Sequence, residues 1–160
     1  MKTMIEYRTL QNEEIELIRP LWEKLREHHH TNSTHFKDRY SKFSFEKRRG
    51  DLLEKAERGK LRIDIAEDNL LKKIVGYCVS SINSGNKEKE GEIDSIFVDA
   101  NYRKLGIGDQ LMKLSLNWLN EEKVVVKKII VAEGNEGVYT FYQKYGFYHL
   151  INVLQQRDDI

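Results

Sequence analysis

Val98-Asp99-Ala100-Asn101-Tyr102-Arg103-Lys104-Leu105-Gly106-Ile107-Gly108 joins an apolar strand pattern to an amphipathic helix pattern through a short basic turn. Glycines at 106 and 108 lack a Cβ, so backbone there can approach a ligand closely. The N–H groups of residues 104–109 fall in the first turn of the helix, where they have no internal partners. Those donors, the positive end of the helix and the charges of Arg103 and Lys104 converge on one point, which suits a pyrophosphate. A tight strand-to-helix turn would use the same two glycines with no ligand at all. Two rival phosphate motifs fail. A Walker A loop needs Gly-Lys-Ser/Thr, but position 109 is Asp; a Rossmann fingerprint needs a third Gly or Ala at 111, which is Leu.

Working outward, residues 92–98 read as a strand and residues 106–120 as a helix with Leu111, Met112, Leu114, Leu116, Trp118 and Leu119 apolar. Upstream, residues 74–82 form a mostly apolar strand, and Leu61, Ile63 and Ile65 alternate with polar neighbours in another. The stretch 83–89 between strands is a polar hairpin tip. Residues 4–9 read as a first strand, followed by a helix capped by Asn12 with Ile15, Ile18, Leu21, Trp22 and Leu25 at helical spacing. Pro20, the only proline, kinks or splits that helix. Residues 28–36 show no periodicity and read as an exposed connection, and residues 45–58 as a second helix with Phe45, Leu52, Leu53 and Ala56 inward. Downstream come a strand at 128–132, a short helix at 136–145 capped by Asn135, and a last strand at 147–155. The order is β-αα-βββ-α-β-α-β: an α/β domain over residues 1–160 with a mixed, mostly antiparallel central sheet and helices on both faces.

The bulk numbers narrow the function classes. The 160 residues suffice for one domain with a real core. Lys and Arg (27) nearly balance Asp and Glu (26), so no global field argues for nucleic acid or an acidic membrane as partner. One cysteine, Cys78, excludes an internal disulfide and any cysteine-based metal cluster. No apolar run approaches the roughly 20 residues that span a bilayer, and the polar N-terminus is not a signal peptide. The expected location is the cytoplasm.

Arg103-x-x-Gly106-x-Gly108 after Ile93-Asp94-Ser95-Ile96-Phe97-Val98 resembles motif A of the GNAT (GCN5-related) N-acetyltransferases. Asn135, Phe141-Tyr142, Lys144 and Gly146-Phe147 resemble the same family's motif B. The resemblance covers residues 92–148 in detail, and the element order extends it to most of the chain. It implies acetyl transfer from acetyl-CoA to a primary amine, by direct attack and without a metal. It also implies donor-binding roles for Ile96, Phe97 and Val98 beside the strand, for Arg103, Lys104, Leu105, Gly106, Ile107, Gly108 and Asp109 at the turn, and for Asn135 and Tyr142. Val138 stands where the family usually has Ala, and Gly137 weakens the first turn of the short helix.

The chemistry can be set against the residues. An amine with a pKa of about 10.4 is mostly protonated at neutral pH, so a base must take its proton. Glu92 and Asp94 lie two apart on a strand and share a face. Asp94 stands where the family often carries an acidic residue acting as base; both also fit ordinary solvent-facing charges. Backbone N–H groups near residues 96–98 can meet the oxyanion. Tyr142 matches the family's tyrosine that meets the departing thiolate, and it lies off the core stripe made by Val138, Phe141 and Tyr145.

The acceptor side is thinner. His28, His29 and His30 diverge by about 100° each on a helix and read as a solvated helix end, with substrate contact as the alternative, rather than as a metal site. His35 and Phe36 follow where relatives often carry an acceptor-contacting loop. The substrate is expected to be a small-molecule or peptide amine. Only one strand's worth of sequence follows Phe147, which leaves an exposed edge of the kind that homodimers cover. The rival to an enzyme is a non-catalytic acyl-CoA-binding or sensing domain, which would keep Arg103, Gly106 and Gly108 without needing Asp94 or Tyr142.

Overall fold

Alternating side chains and helical stripes settle into a five-stranded sheet with helices on both faces. The computed structural model describes residues 3–85 and 88–160, so residues 86 and 87 of the expected hairpin tip lie outside it. The strands are β1 (Ile5–Leu10), β2 (Gly59–Asp68), β3 (Lys73–Asn83), β4 (Glu90–Val98) and β5 (Val126–Ile129), in spatial order β1-β2-β3-β4-β5. The first four pair antiparallel, and β5 joins β4 in parallel. The helices are α1 (Arg19–Asn32), α2 (Lys37–Ser41), α3 (Phe45–Arg58), α4 (Ile107–Glu121) and α5 (Tyr139–Gln143), with short 3-10 turns at Asn12–Ile18, Ala100–Tyr102 and Glu136–Val138. Among the described residues no helix is long and apolar enough to cross a membrane.

Two cores flank the sheet. On one face Ile15, Ile18, Leu21 and Trp22 from the first helical segments and Phe45 and Leu52 from α3 bury against Ile63, Ile65, Tyr77 and Val79. On the other, Ile107, Leu111, Met112 and Leu119 of α4 pack on Val75, Cys78, Ile82 and Ile93, joined by Tyr142 of α5. Burying a large apolar side chain fully is worth about 1.5–3 kcal/mol, so these two layers dominate the stability.

Several boundaries differ from the sequence expectation for local reasons. Pro20 sits in the first turn of α1, where its missing N–H costs nothing, so it starts a helix after the 3-10 segment instead of kinking one. The cap of that segment is a Gln11–Glu14 capping box and not Asn12. Helix α1 runs through all three consecutive histidines to Asn32, and the unforeseen α2 follows within five residues. The expected last strand at 147–155 does not form. Those residues carry no regular structure, since a strand exists only through pairing and no described segment pairs with them. Leu150 and Leu154 are 88% and 93% exposed there.

One irregularity shapes the site. The β3–β4 register passes from Val79–Ser95 to Ser80–Ile93, which makes Asp94 the extra residue of a β-bulge. A bulge reverses the in–out alternation. Ile93 therefore packs with the α4 core, and so do Ile96 and Val98, while Phe97 belongs to the other face.

Candidate active site

The parallel β4–β5 pairing ends at Ile93–Ile129, whereas β4 continues to Val98. From residue 94 onward the two strands part, and a cleft opens between them. The turn beyond β4 is pinned from behind. Tyr102 donates to Asp68 Oδ2 at 2.6 Å, and Lys24 donates to the buried Asp99 at 3.0 Å. That anchoring sends residues 103–106 outward to start α4.

Two residues of that turn, Lys104 (φ 66°) and Gly106 (φ 77°) on either side of Leu105, lie in the left-handed region. Gly106 is the residue type that adopts it at least cost, and as the residue before α4 it re-aims the chain into the helix. The first helical bond runs from Gln110 N–H to Gly106 O at 3.0 Å, which leaves the N–H groups of Ile107, Gly108 and Asp109 without intrahelical partners. A Cβ at Gly108 would stand 3.4 Å from the Phe141 ring, so the glycine keeps this end of the cleft open. The Arg103 guanidinium lies 5.6 Å over the Phe97 ring and donates through Nε to Val98 O at 3.2 Å.

These groups line a cavity of about 520 Å³. All the residues that the sequence reading assigned to the donor side reach it except Leu105, which points to solvent at 54% exposure. The Asp109 carboxylate is engaged by Lys144 Nζ (2.8 Å) and by the Tyr145 hydroxyl, and these bonds hold it below the usual carboxylate range. It fastens α4 to the segment following α5. Asn135 precedes its short helix as expected, but its side chain makes no capping bond; it faces His28 Nε2 at 3.3 Å instead.

A second cavity, of about 360 Å³, lies between α1, α2, the bulge of β4 and the chain after β5. Leu25, Ile96, Asn135 and Tyr142 line both cavities, so the two share a boundary at these four side chains. Tyr142 is 8% exposed, and burial raises its hydroxyl well above the ordinary phenol value. It is a protonated group at the junction.

Glu92 and Asp94 do share a face, and Lys55 of α3 joins them. Its Nζ contacts Asp94 Oδ1 closely and lies 3.5 Å from Glu92 Oε2. Only Asp94 lines the second cavity. Its side chain is fully buried, its carbonyl accepts from Arg48 Nη2 at 2.8 Å, and its Oδ2 has no partner among the described residues. Burial first, and then the charge of Asp94, push the Glu92 carboxyl above the usual range. Neither carboxylate is the free, solvent-facing charge that a half-exposed strand would carry.

Of the two acceptor-side candidates, Phe36 lines the second cavity and the His35 side chain does not. The backbone N–H of His35 instead donates to Glu133 Oε1 at 3.1 Å, beside Thr34 N–H at 2.9 Å and the Ser33 hydroxyl. The three consecutive histidines diverge, as helical spacing requires. His28 meets Asn135, His29 packs at 5.4 Å from Tyr40, and His30 lies 3.9 Å from Glu27. They are not merely a solvated helix end, because Nδ1 of His29 is buried and its ring lines the cavity. Among the described residues no three His, Cys, Asp or Glu side chains gather as a metal site.

The model of the acetyltransferase (GNAT) family matches residues 19–147. The chain belongs to the GNAT family. Solved structures agree on the fold. A GCN5-related N-acetyltransferase from Ralstonia eutropha JMP134 superposes with a TM-score of 0.74 at 16% identity, covering 96% of this chain and 98% of that one. Glucosamine-6-phosphate N-acetyltransferase from Arabidopsis thaliana gives 0.64 at 14% identity, covering 98% and 99%. An aminoglycoside acetyltransferase from an uncultured soil metagenomic sample, in complex with sisomicin, gives 0.62 at 17%, covering 94% and 97%. A search of curated proteins finds no match.

Within this GNAT chain, the sequence reading missed Arg48, Lys55 and Glu133, and took His29 for part of a solvated helix end. Lys55 sits on the inner turn of an amphipathic helix, and its signal was readable only as a cation on an otherwise apolar stripe. Glu133 carried none, because its partners lie about a hundred residues earlier.

Proposed function

We propose that this GNAT acetyltransferase transfers an acetyl group from acetyl-CoA to a primary amine, with donor and acceptor bound together. The observation that carries this reading is the shared boundary of the two cavities at Tyr142. A donor lying along the 520 Å³ cavity and an amine entering the 360 Å³ cavity would meet there and nowhere else. The fit to acetyl-CoA rests on the unpaired N–H groups of residues 107–109, the open Gly108 face and the basic turn.

Acetyl-CoA bound there supplies an acyl thioester. Asp94 Oδ2 then orients the amine and accepts its proton, and Glu92, shifted toward neutrality, stands next in line to receive it. Backbone N–H groups along the parted edge at residues 96–98 meet the developing oxyanion. The Tyr142 hydroxyl, kept protonated by burial, donates to the leaving sulfur. No acetyl-enzyme is needed. Cys78 is fully buried on β3, accepts from the Ser115 hydroxyl at 3.2 Å, and has its thiol pushed up to about 12 by burial.

A small-molecule acceptor is favoured by the cavity volume, which falls in the range of small-ligand sites. Two of the three structural neighbours above are described as an aminoglycoside acetyltransferase and a glucosamine-6-phosphate N-acetyltransferase, which supports the same class. We also propose a homodimer. The outer edge of β5 and the exposed apolar residues from Leu150 to Leu154 invite a second copy. Light scattering behind size exclusion should give twice the chain mass; a monomer at micromolar concentration overturns that part.

Thermal stability with CoA and with acetyl-CoA, followed by thiol release over a panel of amines, tests the main reading. Stabilisation by both and turnover of at least one amine are expected. No shift with either ligand contradicts it, and a shift with no turnover would assign the chain to the sensing class instead.

A further inference from the structure

The two buried side-chain polar atoms without a partner among the described residues are His29 Nδ1 and Asp94 Oδ2, and both side chains line the acceptor cavity. A buried polar atom left without a partner is destabilising. Two of them on one cavity, from α1 and from the bulge of β4, mark places where a ligand supplies the missing hydrogen bonds. Asp94 is otherwise committed: Oδ1 to Lys55 and the carbonyl to Arg48. Its Oδ2 is an acceptor waiting for a donor such as an amine.

The charges around the rest of the cavity point to what else the ligand carries. Arg26, Arg39 and Arg48 line it against only Asp94 and Glu133. The Glu133 carboxylate is already engaged by Ser33, Thr34 and His35, and its charge is directed into the α1–α2 turn. Arg26 donates to Phe43 O at 3.1 Å and Arg48 to Asp94 O. The Arg39 guanidinium has neither a hydrogen bond nor an ion pair among the described residues, and α2 presents it beside Phe36 and Tyr40. Burial, reinforced by His28, pushes His29 down to about 4, so its ring is neutral and adds no charge at neutral pH. A plain polyamine would meet three arginines and a single free carboxylate oxygen, with repulsion along most of its length.

We infer that the acceptor is a small primary amine that also bears an anionic group, a carboxylate or a phosphate, with its nitrogen at Asp94 Oδ2, its anion toward Arg39 and its middle beside His29 Nδ1. This rests on the acetyl-transfer reading above. Arg39 thereby becomes a specificity residue, since a guanidinium suits both carboxylate and phosphate by paired hydrogen bonds.

The test uses amines in twin pairs that differ by an anion at the end away from the nitrogen: butylamine against 5-aminopentanoate, and ethanolamine against phosphoethanolamine. Thiol release should give the anionic twin of at least one pair a kcat/KM ten or more times higher. Arg39→Gln should erase that advantage through KM with kcat kept, leave the neutral twin unchanged, and be partly restored by Arg39→Lys. Equal kcat/KM within both pairs, or an equal loss for both twins in Arg39→Gln, overturns the inference while leaving the acetyltransferase reading standing. Should no amine turn over, that reading fails and calorimetric titration of the same twins decides this one. Tighter binding of an anionic twin, lost in Arg39→Gln, supports it; no difference between twins overturns it.

Discussion

The cavity proposed for the donor takes most of its wall from one run, residues 96–109, while the cavity proposed for the acceptor is closed by segments about a hundred positions apart in sequence. Ser33 meets Glu133, and a Cβ at Gly134 would collide with Asn32 O at 2.2 Å. The first cavity is local geometry: a strand end, a left-handed glycine and a helix start. The second is tertiary geometry, held by the end of α1 resting on the turn after β5. Local sites are written in consecutive residues, and their ligand contacts are largely backbone. A tertiary site can change its specificity through side chains such as Arg39 without disturbing the half that binds the donor.

The place where the halves join should show the largest effect. Tyr142→Phe is expected to lower kcat by about a hundredfold or more, within the usual range for loss of a positioned acid. The dissociation constant for acetyl-CoA should stay within twofold by calorimetry. Unchanged turnover would remove Tyr142 from the chemistry and leave the two cavities adjacent but chemically unconnected.

A pair of glycine variants can separate the halves. Gly108→Leu fills the face toward Phe141 and should weaken CoA binding by roughly tenfold, about 1.4 kcal/mol, with acceptor KM nearly unchanged. Gly134→Ala forces a methyl against the α1 carbonyl at a φ of 91°, and a strain of about 1–3 kcal/mol should lower Tm by several degrees. It should raise acceptor KM severalfold and spare CoA affinity. If each variant weakened both ligands equally, the cleft would behave as one unit and the contrast between its halves would be broken.

The smallest expected effect is a pH signature of the acceptor wall. His29 has its pKa lowered by burial and by His28, from 6.5 to about 4. A depressed folded-state value means that the stability tied to neutral His29 is complete above pH 6.5, declines as pH falls, and is gone below about 4. The thermal stability of the wild type should therefore drop more steeply between pH 6.5 and 4.5 than that of His29→Phe. Parallel curves would place His29 in solvent and weaken its part in the acceptor cavity.

The same contrast explains what could be read from the sequence. The five observed strands, α3 at its observed bounds, α4 and the turn at 103–108 were legible because period and turn chemistry act over a few residues. Tyr142 was singled out by its resemblance to the family's tyrosine, but the expectation that it lies off the core stripe fails: Tyr142 is the buried residue of α5, and Val138, Phe141 and Tyr145 are only partly buried around it. The bulge at Asp94 was not legible, since a bulge is defined by the partner strand and not by its own residues. Lys55, Glu133 and the burial of His29 depend on which distant segments meet. The expected last strand failed for a related reason: residues 147–155 have strand-like composition, but pairing is a property of neighbours.

The central claim is that donor and acceptor occupy their adjoining cavities together and react directly at Tyr142. Initial velocities of thiol release, with acetyl-CoA and an accepted amine varied against each other, test it most directly. Double-reciprocal lines that intersect are expected, as a ternary complex requires. Parallel lines would reveal a covalent acetyl-enzyme and contradict the claim.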